Sequence, residues 1–88
     1  ELKSMADEFK TGQENAVICL VATYDGKASI VVAVTPDLAD SYNAVDLVRL
    51  GSAALGGAGG GGRPDMAQAG GPDADNTGAA LAAVSEAL

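Results

Sequence analysis

No histidine and no tryptophan occur among these 88 residues, and there are only one cysteine, one phenylalanine and two tyrosines. Without imidazole the chain lacks the side chain most often used as a general base near neutral pH and as a metal ligand. A single thiol excludes an internal disulfide. Cys19 lies in the apolar run AVICLVA, where a small buried hydrophobe is its expected role, and no imidazole is present to activate it. A reduced, cytosolic setting is compatible with this cysteine usage. No run reaches the 18 apolar residues of a membrane span, and no signal peptide is visible.

Positive charge is scarce as well. Lys3, Lys10, Lys27, Arg49 and Arg63 face twelve acidic residues, for a net charge of -7. The five cations form no patch in sequence, so attraction to nucleic acid or an anionic membrane is weak. With so few aromatics, Val, Ala, Leu and Ile must fill the core, which predicts thin layers and closely spaced elements. The length allows one domain, burying about two-thirds of its unfolded surface.

What is present reads as short, well-punctuated elements. Leu2, Met5 and Phe9 fall at helical spacing within residues 1–12, with Gly12 as a C-cap. That stripe starts at the first residues, which predicts the end of a helix continuing from a longer parent. AVICLVATY (16–24) is β-branched and nearly continuous in apolarity, the pattern of a strand buried on both faces. Asp25-Gly26 then separates it from KASIVVAVT (27–35), the strongest short hairpin signal. Asn43 can cap a helix through AVDLVRLGSAAL, where Gly51 suggests a close approach to a sheet and Gly56 ends the helix. DMAQAGG predicts a third strand, and GAALAAVSEAL an alanine-rich last helix. The expected fold is therefore α/β of the α+β type, in the order α-β-β-α-β-α. Its small three-stranded sheet includes the hairpin and packs against helices.

Residues 56–73, GGAGGGGRPDMAQAGGPD, hold eight of the twelve glycines. G-x-G-x-x-G is satisfied by Gly57, Gly59 and Gly62, but the run follows a helix and leads to a strand, the reverse of a dinucleotide loop. Arg63-Pro64 stands where a P-loop needs Lys and Ser or Thr. Two physical readings remain. Consecutive glycines can turn successive N–H groups into a concavity for an anionic oxygen, or they can form a flexible linker. Pro64 and the restricted Arg63 before it send the chain out of the run in a defined extended direction. Arg63 adds a planar donor fork, and Asp65 can order the loop or hold that fork. Met66 suits core filling. Gln68, one pleat on, suits either edge hydrogen bonding or partner contact.

GGGGRPDMAQAGG (59–71) resembles the signature near the C-terminus of alanyl-tRNA synthetases, and the likeness extends to MADEFKTG, KASIVVAVTPDL, AVDLVRLGSAALGGAGGGGRPD and the terminal helix. It covers essentially the whole chain, 1–88, as one C-terminal module similar to the domain that accompanies DHH-type phosphoesterases. There a related glycine loop is typically followed by His. Arg63-Pro64-Asp65 replaces it here, so phosphoesterase chemistry does not carry over. The resemblance implies that this segment has no catalytic residue, metal site or cofactor of its own. ATP with magnesium, and zinc for editing, would act in upstream parts of a cytoplasmic alanine–tRNA ligase. Implied partners are alanine tRNA, upstream domains of the same chain, and a homodimer mate held through an upstream helical part that residues 1–12 would continue. The implied RNA-binding positions are Gly57, Gly59, Gly60, Gly61, Gly62, Arg63, Asp65, Gln68, Gly70 and Gly71. With one or two cations near the loop, the expected log-log salt slope of binding is about -1 to -2. A structural or dimerisation module without RNA contact is the alternative, favoured by the acidic charge and the stripe Leu2-Met5-Phe9.

Overall fold

The computed structural model describes residues 5, 6, 8 and 9, 16–57 and 60–88. Met5, Ala6, Glu8 and Phe9 are helical, and the rest of the helix expected over 1–12 lies outside the described residues.

Strands β1 (Val17–Tyr24) and β2 (Lys27–Val34) form the expected hairpin, in register from Val17 opposite Val34 to Tyr24 opposite Lys27. Asp25 and Gly26 both take positive φ, 51° and 76°. That is the backbone of a type I′ turn, whose twist matches that of the flanking strands. Helix α1 (Ala44–Ala54) follows, then β3 (Gly61–Arg63), β4 (Met66–Gly71), a short 3-10 turn (Ala74–Asn76) and α2 (Thr77–Glu86).

The sheet has four strands rather than three, in the order β1-β2-β4-β3 with every pair antiparallel. The extra strand is part of the glycine run. Glycine loses the most entropy in a strand and has no side chain to pack, so composition argues against a strand there. Burial of β1 also departs from expectation. β1 is an edge strand, half-buried along most of its length and exposed at its end, whereas β2 lies between β1 and β4 and is buried from Ile30 to Val34. The two apolar runs are alike in sequence; only strand order separates them.

Alternation divides the sheet into two faces. On the first, Ala28, Ile30, Val32, Val34 and Ala67 pack with Ala44, Leu47, Val48 and Leu55 of the α1 segment and with Ala80 and Val84 of α2. On the second, Val31, Ala33 and Met66 pack with Ala6. Met66 is thus core filler, as expected. Among the described residues both buried hydroxyls are satisfied: Thr35 Oγ1 accepts from Ala16 N at 3.1 Å, and Ser52 Oγ donates to the Gly70 carbonyl at 2.8 Å.

The ends of α1 follow the sequence. The Asn43 side chain accepts from Val45 N at 2.9 Å, satisfying one of the helix's orphan donors. Asn43→Ala should cost about 1 kcal/mol in chemical denaturation; no change in midpoint would show that the cap is unimportant. At the other end Gly56, with φ 76°, donates to Ala53 O, and Gly57 N donates to Ser52 O at 2.8 Å. This pair of bonds is the Schellman arrangement, which places glycine in the left-handed conformation just past the helix.

Cys19 packs against the first-face core, and burial pushes its thiol up from 9.0 to about 11. The thiolate is the reactive form. Alkylation by iodoacetamide at pH 8 should therefore run about a hundredfold slower in the folded chain than after unfolding, the ratio set by that displacement. Equal rates in the two states would contradict the burial.

Candidate nucleic-acid interface

The glycine run is built into the fold. Between Gly61 and Arg63 it pairs with β4, placing Gly61 opposite Gln68, Gly62 opposite Ala67 and Arg63 opposite Met66. Pro64 and Asp65 then form the two-residue turn that reverses the chain into β4. Arg63 is extended, as a residue before proline should be, but beyond it the path turns back rather than running on. The turn is anchored at both residues: Pro64 O accepts from Ala44 N and Asp65 O from Val34 N, each at 2.8 Å. Its first contact serves the start of α1, and its second continues the β2 edge.

Most glycines here are required by internal contact. A Cβ on Gly57 would strike the Gly70 carbonyl and Ser52 Oγ, and one on Gly60 would strike the Gln68 carbonyl and Ala69 Cβ. On Gly62, whose φ is 152°, a Cβ would lie 2.5 Å from Met66 O and 2.7 Å from Ala67 Cα. On Gly71 it would lie 2.8 Å from Leu55 Cβ, and on Gly70 2.8 Å from Ala28 O. These positions let the end of α1 and β3 lie directly on β4. Gly61 is different, with nothing within 4 Å of its Cβ position. Gly59 lies outside the described residues. Among the described residues the run is not the series of left-handed turns that an N–H concavity needs, since Gly60 and Gly61 lack positive φ.

Three exposed positions of the expected set remain together on the second face: Gly61, Arg63 and Gln68. Alternation places Arg63 and Gln68 on the same side as Met66, as diagonal neighbours across β3 and β4, about 7–8 Å apart at Cα. Arg63 is 68% exposed, with its Nε 3.5 Å from Asp65 Oδ1. An exposed pair of this kind adds little stability, but it draws the guanidinium toward the Pro64-Asp65 turn. Asp65 thus holds the fork, one of the two roles its position suggested. β3 is the edge of the sheet, so one side of its backbone is not used by the ladder.

Sequence reasoning did not place Tyr24 and Lys27 on this face. Both are exposed, and they are opposite each other across the hairpin. The signal was available, because a two-residue turn at Asp25-Gly26 makes its flanking residues cross-strand partners and alternation then carries them to Ser29, Val31 and Gln68. No group of three or more His, Cys, Asp or Glu side chains that could hold a metal ion occurs among the described residues, and no described helix is long and apolar enough to cross a membrane.

Known proteins share this sequence and this fold. The alanine–tRNA ligase of Paramagnetospirillum magneticum is 61% identical over 88 residues, covering 100% of this chain and 10% of the relative. That of Nitrobacter winogradskyi is 60% identical over 89 residues with the same coverage. The chain therefore spans about a tenth of the length of these relatives. Among solved structures, the C-Ala domain from Aquifex aeolicus alanyl-tRNA synthetase superposes with a TM-score of 0.93 at 32% identity, covering 100% of this chain and 78% of that one. The DHHA1 domain matches residues 1–88 in full, and the chain belongs to that family.

Proposed function

We propose that this chain is the C-terminal module of an alanine–tRNA ligase and that it contacts tRNA through the β3 edge and the adjoining second face of the sheet. The observation that carries the reading is the placement of charge. All four strands lack Asp and Glu, and their two cations, Lys27 and Arg63, both lie on that face. The residues outside these strands therefore carry a net charge of -9, twelve acidic against three basic. Arg63 offers a bidentate fork to a phosphate, Gly61 leaves its backbone open to close approach, and Gln68 supplies an amide. Such contacts position an RNA without reading its sequence. The module performs no chemistry in this reading. It raises the effective concentration of alanine tRNA at upstream sites where a cytoplasmic parent uses ATP, magnesium and zinc to charge and proofread.

Arg63→Glu should weaken binding of an alanine tRNA transcript about tenfold or more while leaving the thermal midpoint within a few degrees. The log-log salt slope should be about -1 to -2 before the substitution and shallower after it. A wild-type slope steeper than about -4 would show that the contact surface is elsewhere.

A second reading rests on a different observation. Met5 and Phe9 are 45% and 54% exposed on the helical residues whose Ala6 is fully buried. Phe9 also lines an open apolar trough of about 440 Å³ with Ala16, Val17, Ile18 and Leu20. This surface suits upstream domains of the same chain or a dimer mate. Arg63→Glu that breaks assembly and leaves tRNA affinity unchanged would favour it.

A further inference from the structure

Among the described residues, Ala6 covers one end of the second face, the end formed by Val31, Ala33 and Met66. Toward the hairpin tip, Ala22, Tyr24, Lys27 and Ser29 are all exposed. Ala22, Ser29 and Gly70 stand side by side across β1, β2 and β4, so this half of the face is low. Tyr24 rises at its border with 79% of its surface exposed. The chain has three aromatic residues. Tyr42 packs against the first-face core and bonds the Leu88 carbonyl at 3.2 Å, while Phe9 borders the apolar trough. Among the described residues, Tyr24 is the aromatic that stands exposed on the sheet with a cation, Lys27, directly opposite.

Resting on the tRNA-contact reading above, we propose that Tyr24 and Lys27 form a second RNA contact point on this face, at which an exposed nucleobase stacks on the Tyr24 ring and its phosphate is held by Lys27. RNA fits this face because an exposed ring offers a base a stacking surface and the strands contribute two cations and no carboxylate, with Asp25 and Asp65 confined to the flanking turns. An aromatic ring on an open sheet, flanked by a cation, is the arrangement that single-stranded RNA surfaces use, because every base has a π-face. Along β2, Lys27 is six positions from Ala33, which is opposite Met66 and hence in line with Arg63. At about 3.3 Å per residue the two contact points are about 20 Å apart. They therefore grip different nucleotides of one tRNA. Asp25 at the hairpin tip keeps the Tyr24 site from being a general anion sink, so stacking, more than charge, is its contribution.

The test is a set of tRNA-binding measurements on this 88-residue chain with an alanine tRNA transcript, comparing Tyr24→Ala, Tyr24→Phe, Lys27→Gln and Arg63→Glu. Thermal melts serve as the fold control. Tyr24→Ala should lose about fivefold to a hundredfold in affinity, the range for one stacked base. Tyr24→Phe should stay within about twofold of wild type, and Lys27→Gln should make the salt slope shallower by about 1. A merely structural cross-strand pair would move the melting midpoint without this separation of Phe from Ala. If Arg63→Glu weakens binding and Tyr24→Ala does not, the stacking site is wrong and the β3 contact stands. If neither changes affinity, both fall. If Tyr24→Ala instead abolishes self-association with tRNA affinity intact, the face is a protein interface and the proposal is overturned.

Discussion

Gly57→Ala should destabilise the domain by about 3 kcal/mol or more, the largest effect expected of any single methyl group added here. The new Cβ would enter space held by the Gly70 carbonyl and Ser52 Oγ. Neither can retreat freely. Ser52 Oγ donates to that same carbonyl at 2.8 Å, and Gly57 N donates to Ser52 O at 2.8 Å. The cost combines overpacking, about 1–3 kcal/mol, with disturbance of a part-buried hydrogen bond, about 1–3 kcal/mol. For a domain of this size each 1 kcal/mol shifts the midpoint by about 4–8 °C, so the melt should fall by more than about 10 °C. Gly71→Ala should behave similarly, because its Cβ would lie 2.7 Å from the Leu55 carbonyl carbon. Gly61→Ala is the contrast: its Cβ meets open space, and the loss of unfolded-state freedom should leave stability unchanged or raised by up to about 1 kcal/mol. Equal effects at positions 57 and 61 would mean that the run is a loose tether after all.

That contrast shows what the sequence could and could not reveal. A run of glycine has no hydrophobic periodicity, so its pairing with β4 leaves no pattern in the letters. Its reason is a partner, the α1 end and β4 backbone, contributed by residues before and after it. The hairpin was legible because Asp25-Gly26 carries its own turn chemistry, and α1 because Asn43 and Gly56 mark its ends. Strand order was not legible, since β1 and β2 share one composition and differ only in what lies beside them. Of the candidate site, Arg63 and Gln68 were found from their chemistry. The division between internal glycines and the open Gly61 needed three-dimensional neighbours to see.

Ile30→Ala is the second large effect, expected at about 2–5 kcal/mol. Ile30 is fully buried on the central strand, and its Cδ1 occupies the place a Cβ on Gly51 would take, with Val84 Cγ2 3.4 Å from that same point. Here α1 comes close enough to β2 for an isoleucine to fill what a side chain on the helix would otherwise fill. The pairing can be tested by a double-mutant cycle. Gly51→Ala alone should be neutral to destabilising by about 2 kcal/mol, as overpacking offsets a helix-propensity gain of about 1 kcal/mol. In the Ile30→Ala background the same substitution should become stabilising by about 1 kcal/mol, since the methyl enters vacated space. A coupling of at least about 1 kcal/mol is expected for residues in contact. Additive effects would show that the helix does not rest on Ile30.

The stability predictions and the binding proposal depend on the same division of the glycine run, between residues that hold the fold together and an outer rim that is free to meet a partner. The most direct measurement is an NMR titration of the 88-residue chain with an alanine tRNA transcript at low and moderate salt. It would follow the amides of Gly57, Gly60, Gly61, Gly62, Gly70 and Gly71 with the Arg63 and Gln68 side chains. The account predicts shifts concentrated at Gly61, Arg63 and Gln68, shrinking modestly with salt, with Gly57 and Gly71 nearly still. Shifts confined to α1 and α2, or a folded chain whose rim stays silent, would contradict it.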